Sequence, residues 1–167
     1  PIRQDLSISG AAMRLTDLSP KQLKRVLNIY PPYLGAGIKV GHISEDWKEY
    51  QVSMVMRWYN RNAVGTHFGG SLYAMIDPPL MLLLIRLLGK EYLVWDIAAS
   101  IEFIKATKET VQAEFRISDE VIEEIKRNTQ NGDKYIVRFP VEITGEENEI
   151  VAKGEKVIYI RKKVKNK

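Results

Sequence analysis

The apolar residues of the first part of the chain recur with the spacing of an amphipathic helix. Ser19-Pro20 supplies an N-cap and a first helical residue, and Pro31-Pro32 ends the segment. The pattern therefore predicts a helix over residues 19–30. Its apolar face consists of Leu23, Val26, Leu27 and Tyr30.

The longest apolar stretch of the chain, residues 69–88, predicts a second helix. Because it is apolar nearly all round, we expect it to lie at the centre of the fold. Pro78 and Pro79 must kink or divide it. Its most apolar part, residues 80–88, is much shorter than the roughly 20 residues that cross a bilayer, so we expect no membrane span.

Alternation of apolar and polar residues predicts the strands of an antiparallel sheet. Residues 37–44 and 49–59 alternate in this way, and we expect them to pair as a hairpin. Four more strand segments follow, with a small helix capped by Ser118 between the middle two and a hairpin turn at residues 145–148 between the last two. These four segments are residues 93–104, 110–117, 133–144 and 150–161.

The order of the elements predicts an α+β fold in which an antiparallel sheet wraps around a long central helix, with an extra N-terminal helix. No repeat, linker or low-complexity segment interrupts the chain, so we expect a single domain over residues 1–167. Such a sheet covers the central helix on one side only. We therefore expect a second copy of the chain to complete its burial.

The composition is that of a soluble globular protein, with 45% hydrophobic and 28% charged residues. The absence of cysteine excludes disulfides, thiolate metal sites and a cysteine nucleophile, and two histidines make a zinc site unexpected. Much of the net charge of +4 lies in residues 161–167, which we interpret as a solvated tail, not a nucleic-acid arm. Because the start, residues 1–9, lacks the apolar stretch of a secretory signal, we expect a cytoplasmic protein. We also expect no metal or redox cofactor.

A single carboxylate, Asp77, interrupts the apolar central stretch. With apolar residues on both sides, we expect it on or near a buried surface, where a carboxyl group is suited to proton transfer. The alternative is structural. Because Asp77 precedes Pro78, it would then serve only as the N-cap of a helix that begins there.

A pair of glycines, Gly69 and Gly70, stands at the predicted start of the central helix. Glycine lets backbone N–H groups approach a ligand at a helix start, where the helix dipole favours negative charge. The alternative is that the glycines only let the helix pack closely against the sheet. Amide donors together with a carboxylate are typical of sites that attack a carbonyl group.

At these positions the chain resembles the hotdog-fold thioesterases, in particular those of the phenylacetate-pathway and human acyl-CoA thioesterase type. Their signature is an Asn, then a Gly-Gly pair at the head of the central helix, then an Asp two helical turns later. Asn62, Gly69-Gly70 and Asp77 match this signature at the family's spacing. A closer resemblance, over nearly the whole chain, is to a thioesterase-like hotdog family of unassigned function. The matching segments are residues 62–78, 94–96, 101–105, 118–132 and 159–163.

The resemblance implies a hydrolase acting on an acyl-CoA or acyl-carrier thioester, assembled as a homodimer or a dimer of dimers. A backbone N–H of Gly69 or Gly70 would polarise the thioester oxygen. Asp77 would act as general base toward water or as direct nucleophile, and Asn62 would orient water or substrate. From their residue type, we expect Met54, Met56, Met75 and Met81 to line the core or an acyl pocket.

The chain departs from the family pattern at two positions. In the relatives a His directly precedes the two glycines, whereas here Phe68 holds that place and His67 comes one residue earlier. Such an offset turns a side chain by about 100° on a helix, so His67 has a structural interpretation beside the catalytic one. The relatives also carry a Ser on the third strand, where alignment places Asp96. A second carboxylate facing Asp77 would raise one of the two pKa values or bind a cation.

Two other functions stay open. One is an acyl-binding or lipid-binding hotdog protein that holds a ligand without cleaving it, which the Phe68 substitution favours. The other is a hydratase or dehydratase on the same scaffold, for which His67 is poorly spaced.

Overall fold

The computed structural model describes residues 17–164. The start of the chain, where no secretory signal was expected, and the last three residues of the basic tail lie outside this range. Within it the chain forms five helices and six strands. The helices are α1 Pro20–Asn28, α2 Pro31–Ala36, α3 Gly69–Ile76, α4 Pro79–Leu88 and α5 Asp119–Thr129. The strands are β1 Ile38–Ile43, β2 Glu49–Met54, β3 Tyr92–Phe103, β4 Val111–Arg116, β5 Lys134–Thr144 and β6 Ile150–Lys162.

The six strands form one antiparallel sheet in the order β1-β2-β4-β5-β6-β3. β1 and β2 pair as the predicted hairpin, and so do β5 and β6, with Asn148 in the left-handed conformation (φ 62°) at their turn. β3 pairs with β6 from Tyr92 to Phe103 and forms one edge of the sheet. The sheet covers one side of the central helical segment, as the sequence predicted.

The central apolar segment is divided at the two prolines into α3 and α4. Asp77 and Pro78, which join the two helices, keep helical backbone angles, so the 20 residues Gly69–Leu88 continue as one helical segment. By length and composition alone, this 20-residue segment could cross a membrane. Half of its most apolar window is buried inside the protein, as in a core helix. Its buried apolar residues are Leu72, Met75, Ile76, Leu80, Leu83, Leu84 and Leu88.

Strand β2 ends at Met54, five residues before its predicted end. The alternation continues to Trp58, but that side chain is 79% exposed and lies in an irregular segment. Buried Asn60 accounts for the early end. Its side chain accepts the Arg57 N–H at 2.7 Å and donates to the Val55 carbonyl at 2.9 Å, so the chain turns back instead of extending the sheet.

Pro31-Pro32 begins a helix, α2, that the sequence analysis did not predict. Proline suits the first turn of a helix because its missing N–H has no intrahelical partner there. α1 accordingly ends at Asn28, whose side chain donates to the Val40 carbonyl at 3.1 Å and accepts the Val40 N–H at 2.8 Å. These two hydrogen bonds attach α1 to the edge strand β1.

We predict that Gly154 on β6 cannot be replaced by alanine without loss of stability. A Cβ at this position would fall on the backbone carbonyl of Ser100 in β3, so the two strands would have to separate. The free energy of unfolding in urea should fall by about 1–3 kcal/mol, the usual cost of overpacking. Gly41→Ala in β1 is the control, because its added Cβ comes no closer than 3.8 Å to the Gln51 carbonyl oxygen. Equal effects of the two substitutions would contradict this account of the β3–β6 pairing.

Candidate active site

Three charged side chains from three elements meet beside the joint between α3 and α4. The Lys156 Nζ atom, from β6, lies 3.1 Å from Asp77 Oδ1 and 3.2 Å from Asp96 Oδ2 on β3. The side chains of Lys156, Asp96 and Asp77 are 1%, 20% and 54% exposed, respectively. The ammonium group is therefore enclosed, and the cluster opens to solvent through Asp77.

The register of β3 and β6 explains how the sheet contributes two members of this cluster. Lys156 and Ile158 are two residues apart on β6, so they share a face of the sheet, and both are buried. Asp96 pairs with Ile158 and Ala99 pairs with Lys156, with a bulge between Asp96 and Ala98. Because paired residues share a face of the sheet, Asp96 and Lys156 are diagonal neighbours on the inner face.

The carboxylate of Asp96 is largely buried, which disfavours its charged form. Burial raises the pKa of Asp96 above its ordinary value of 3.8, the Lys156 ammonium opposes that rise, and the charge of Asp77 adds to it. Its second oxygen, Oδ1, is buried and accepts no hydrogen bond from residues 17–164.

The two candidate carboxylates lie on either side of Lys156, a residue that the sequence patterns did not single out. The available signal was a lysine at an inward position of an otherwise apolar strand face.

Asp77 ends α3 and does not cap α4. Its backbone is helical (φ −67°, ψ −61°), and the N-cap position of α4 belongs to Pro78. The N-cap interpretation of Asp77 is therefore wrong. The physical reason is that both residues after Asp77 are prolines, so the first turn of α4 offers fewer backbone N–H groups for a cap.

Gly69 and Gly70 form the first two residues of α3, at the predicted place. The N–H groups of Ser71 and Leu72 donate to the Phe68 carbonyl at 2.9 and 3.2 Å, so the amides of the two glycines stand at the open end of the helix. A Cβ on Gly69 would lie 2.8 Å from the ring of Phe103, and one on Gly70 would fall on the ring of Phe68. Close approach of two aromatic rings therefore accounts for both glycines, whatever their amides bind.

A groove of about 390 Å³ runs along the start of α3. Its walls come from α2, from the loop around Tyr59 and Arg61, and from the Gly70 side of α3. Ala74 is the α3 residue nearest to Asp77 that lines it, so the groove stops about one helical turn before the carboxylate. Aromatic and small apolar groups dominate the walls, and Arg61 adds a positive charge.

The side chain of Asn62 makes its hydrogen bonds within its own loop, residues 62–67. Its Nδ2 donates to Thr66 Oγ1 at 2.9 Å and to the His67 carbonyl at 3.2 Å, while its Oδ1 accepts the N–H groups of Val64 and Thr66 at 3.0 Å each. Two donors and two lone pairs are the full capacity of an amide side chain. Asn62 therefore acts here as a loop former.

His67 is buried, with 4% of its surface exposed. Its Nε2 lies 2.7 Å from the Glu109 carbonyl oxygen, so this nitrogen carries the proton and attaches the helix start to the loop after β3. Its Nδ1 is buried without a partner in the described part of the chain. Within residues 17–164, no group of three His, Asp or Glu side chains is arranged to hold a metal ion.

Solved structures of other proteins share this fold. A protein of unknown function from Pseudomonas aeruginosa, described as a probable thioesterase, has a TM-score of 0.77 and 16% identity, covering 87% of this chain and 97% of its own. A thioesterase from Haemophilus influenzae has a TM-score of 0.64 and 12% identity, covering 89% and 94%. A protein of unknown function from Chlorobaculum tepidum has a TM-score of 0.69 and 15% identity, covering 87% and 98%. At these identities the likeness shows the fold alone, and the predicted hotdog fold is confirmed.

The family comparison agrees with the structural one. No curated protein matches the chain significantly. Residues 20–160 match the family described as "Domain of unknown function (DUF4442)", which confirms the resemblance to a thioesterase-like hotdog family without an assigned function. The chain belongs to this DUF4442 family, and its fold is that of the thioesterase-like hotdog proteins.

Proposed function

We propose that the protein is a cytoplasmic acyl-CoA thioesterase that works as a homodimer and hydrolyses an acyl thioester to a free acid and coenzyme A. The observation that carries the proposal is the position of Asp77. It is a half-exposed carboxylate, held at a joint in an otherwise apolar helix. Solved proteins with this fold include ones named as thioesterases, which supports the same reaction class here.

The proposed reaction uses the amides at the start of α3 and the carboxylate at its end. The thioester oxygen accepts a hydrogen bond from the Gly69 or Gly70 N–H, which stabilises negative charge on that oxygen during attack. Acting as general base, Asp77 takes a proton from water as the water oxygen bonds to the carbonyl carbon. The tetrahedral intermediate then expels the thiolate of coenzyme A. Direct attack by Asp77 would instead form an anhydride, which water hydrolyses to the same products.

The spacing of these groups requires two chains. Gly70 and Asp77 are seven residues apart on one continuous helix, or roughly 10 Å along its axis at 1.5 Å per residue. A hydrogen bond to a carbonyl oxygen and attack on its carbon each span only about 3 Å. One carbonyl therefore cannot reach both groups of the same helix. A two-fold dimer that places the helices side by side in opposite directions would bring Gly70 of one chain to Asp77 of the other.

Edge strand β3 supports such a dimer. It is 12 residues long, lies at the edge of the sheet and has one unpaired side. Three of its large apolar side chains, Leu93, Trp95 and Ile97, are 37%, 50% and 49% exposed. A long apolar edge strand is a template for pairing with another chain. Antiparallel pairing of β3 with its copy would extend the sheet and place the two central helices together.

The groove beside Gly70 suits one of the two chains that flank the carbonyl group of an acyl thioester. Its aromatic and apolar walls favour an acyl chain or the pantetheine part of coenzyme A. Arg57, Arg61 and Lys108 form no ion pair with any residue in the range 17–164, so they are available to phosphate groups.

Asn62 and His67 favour a second candidate function, an acyl-binding protein without catalysis. The thioesterases that the chain resembles use these residue types at the site, but here Asn62 is fully hydrogen-bonded within its loop and His67 is buried. A binding protein needs the groove but neither of these groups. The two functions differ in whether a thioester that enters the groove is cleaved.

We predict that Asp77→Asn abolishes the release of free thiol from acyl-CoAs, because an amide neither accepts the proton nor attacks the carbonyl. The measurement is thiol release from acyl-CoAs of varied chain length, with an expected loss of at least about 1,000-fold in kcat, or roughly 4 kcal/mol. Asp133→Asn, at an exposed carboxylate, is the control and should keep full activity. A substantial rate with Asp77→Asn would defeat the thioesterase assignment. An inactive wild type that retains a bound acyl ligand through purification would establish the acyl-binding function instead.

We predict that two inactive variants restore activity when their chains are mixed. Gly70→Pro removes one amide donor at a place in the first helical turn that proline tolerates, and Phe68→Ala in the same chain removes the ring that the added Cβ would meet. Asp77→Asn in the other chain removes the carboxylate. A heterodimer of the two carries one complete site, in which Phe68 and Gly70 are both unchanged. Random reassociation should thus give about a quarter of the wild-type rate. Gly69→Pro with Phe103→Ala is the parallel variant that identifies which amide binds the oxygen. No recovery from verified heterodimers would show that each chain carries its own site.

A further inference from the structure

We infer that Lys156 is a positioning residue for Asp77: from strand β6, its ammonium group fixes the orientation of that carboxylate and balances the charge of Asp96. The inference depends on the proposed thioesterase function only for its kinetic consequences. Its geometric content stands on the contacts of the three side chains. Sequence patterns and family resemblance did not point to Lys156.

Lys156 is the source of Asp77's hydrogen bonding. An N-cap Asp accepts the backbone N–H of the second or third residue after it. Here the second residue is Pro79, which has no N–H, and the helical backbone of Asp77 is not that of an N-cap. Among residues 17–164, the hydrogen bond to the Asp77 carboxylate comes from Lys156 Nζ, at 3.1 Å. Without it, rotation about the side-chain bonds of Asp77 would be limited by packing alone.

The burial of Lys156 lowers the stability of the fold unless its contacts compensate, so its presence calls for a functional explanation. An enclosed ammonium group loses its hydration, and well-packed apolar residues in place of a buried ion pair are often equally stable or more so. Its neighbours on the inner face of β6, such as Ile158 and Ile160, show that an apolar residue suits this surface. The exposure of the three side chains rises from Lys156 through Asp96 to Asp77, so the buried ion pair ends in one carboxylate that solvent and substrate reach.

Asp96 holds the lysine from the opposite side. Its Oδ2 lies 3.2 Å from Nζ, while its Oδ1 is buried without a partner in residues 17–164. Asp96 is thus poorly placed to meet substrate but well placed to hold the Lys156 ammonium group beside Asp77. Two carboxylates this close would repel each other without the cation between them.

Four elements contribute a titratable group to this cluster. Asp77 lies at the end of α3, Lys156 comes from β6 and Asp96 from β3. α2 contributes Tyr33, whose pKa is raised by burial, by neighbouring Tyr50 and by the charge of Asp77. Tyr33 therefore stays neutral over the working range of pH, and the charged groups in contact within the cluster are Lys156, Asp77 and Asp96.

The consequence for the reaction is orientation. With Oδ1 bound to Lys156, Oδ2 of Asp77 is the oxygen left to take a proton from water or to attack the thioester. Loss of Lys156 would free the carboxylate to rotate and would leave its negative charge beside that of Asp96. Both changes act through Asp77, without any contact between Lys156 and substrate.

The test is a cycle of variants in which the orientation of the Asp77 side chain is followed directly. In protein labelled with ¹³C and ¹⁵N, the three-bond NMR couplings from Asp77 Cγ to its backbone N and carbonyl carbon report the χ1 rotamer, and the Asp77 signal is identified by its absence in Asp77→Asn. The wild type should show the couplings of a single rotamer, and Lys156→Met should show the averaged couplings of a side chain that rotates. Lys156→Met/Asp96→Asn should show the same averaging, and it keeps the charge balance of the core if the single variant does not fold.

Lys153→Met is the matched control, since Lys153 lies on the same strand but is half-exposed and pairs with Glu102. It should leave the couplings of Asp77 unchanged. In thiol-release kinetics, the folded Lys156 variants should lose about 10–100-fold in kcat with little change in KM, the usual effect of a misplaced catalytic group.

A folded Lys156 variant in which Asp77 keeps the single-rotamer couplings of the wild type would overturn the inference, as would a folded Lys156 variant with wild-type kcat. If the wild type releases no thiol from any acyl-CoA, the proposed function fails, and the NMR cycle still decides the role of Lys156. Melting temperature and sedimentation of each variant establish that the fold is retained.

Discussion

Burial of the apolar helical segment Gly69–Leu88 is the constraint on which the rest of the structure depends. The segment is too apolar to be left in water, and one antiparallel sheet covers only one side of it. The inner face of the sheet is therefore nearly continuous in apolar side chains, and α1 and α2 pack at its start. The uncovered side of the segment carries Gly70, Tyr73 and Asp77. What covers that side completes the burial and, in our proposal, the active site.

A joint in that same segment makes chemistry available. Two prolines divide the helix while the backbone of Asp77 and Pro78 stays helical, and they remove two of the backbone N–H groups that follow Asp77. The sheet supplies a hydrogen-bond donor to Asp77 through Lys156, which also contacts Asp96. A buried ion pair is a poor source of stability, so its presence is best explained by what it does to the exposed carboxylate. Helix packing, strand register and electrostatics thus converge on one side chain.

The sequence predicted the fold well because the fold depends on periodicity. The central helix, its division at the prolines and the sheet's two hairpins follow from local sequence patterns. The end of β2 depends instead on Asn60, whose side chain also donates to the Ala36 carbonyl, 24 residues earlier in the chain. The candidate site was predicted less completely. Asp77 and the glycines were visible as exceptions to an apolar pattern, but Lys156 is one of 25 basic residues, and its role depends on a partner 79 residues away.

The central claim is that a thioester carbonyl lies between the amides of one chain and Asp77 of the other. A crystal structure with a non-hydrolysable acyl-CoA analogue, in which a methylene group replaces the thioester sulfur, tests this most directly. The account predicts that the analogue's carbonyl oxygen accepts a hydrogen bond from Gly69 or Gly70 of one chain, with Oδ2 of Asp77 from the other chain about 3 Å from the carbonyl carbon or from the attacking water. An analogue bound with its carbonyl remote from both groups would contradict it.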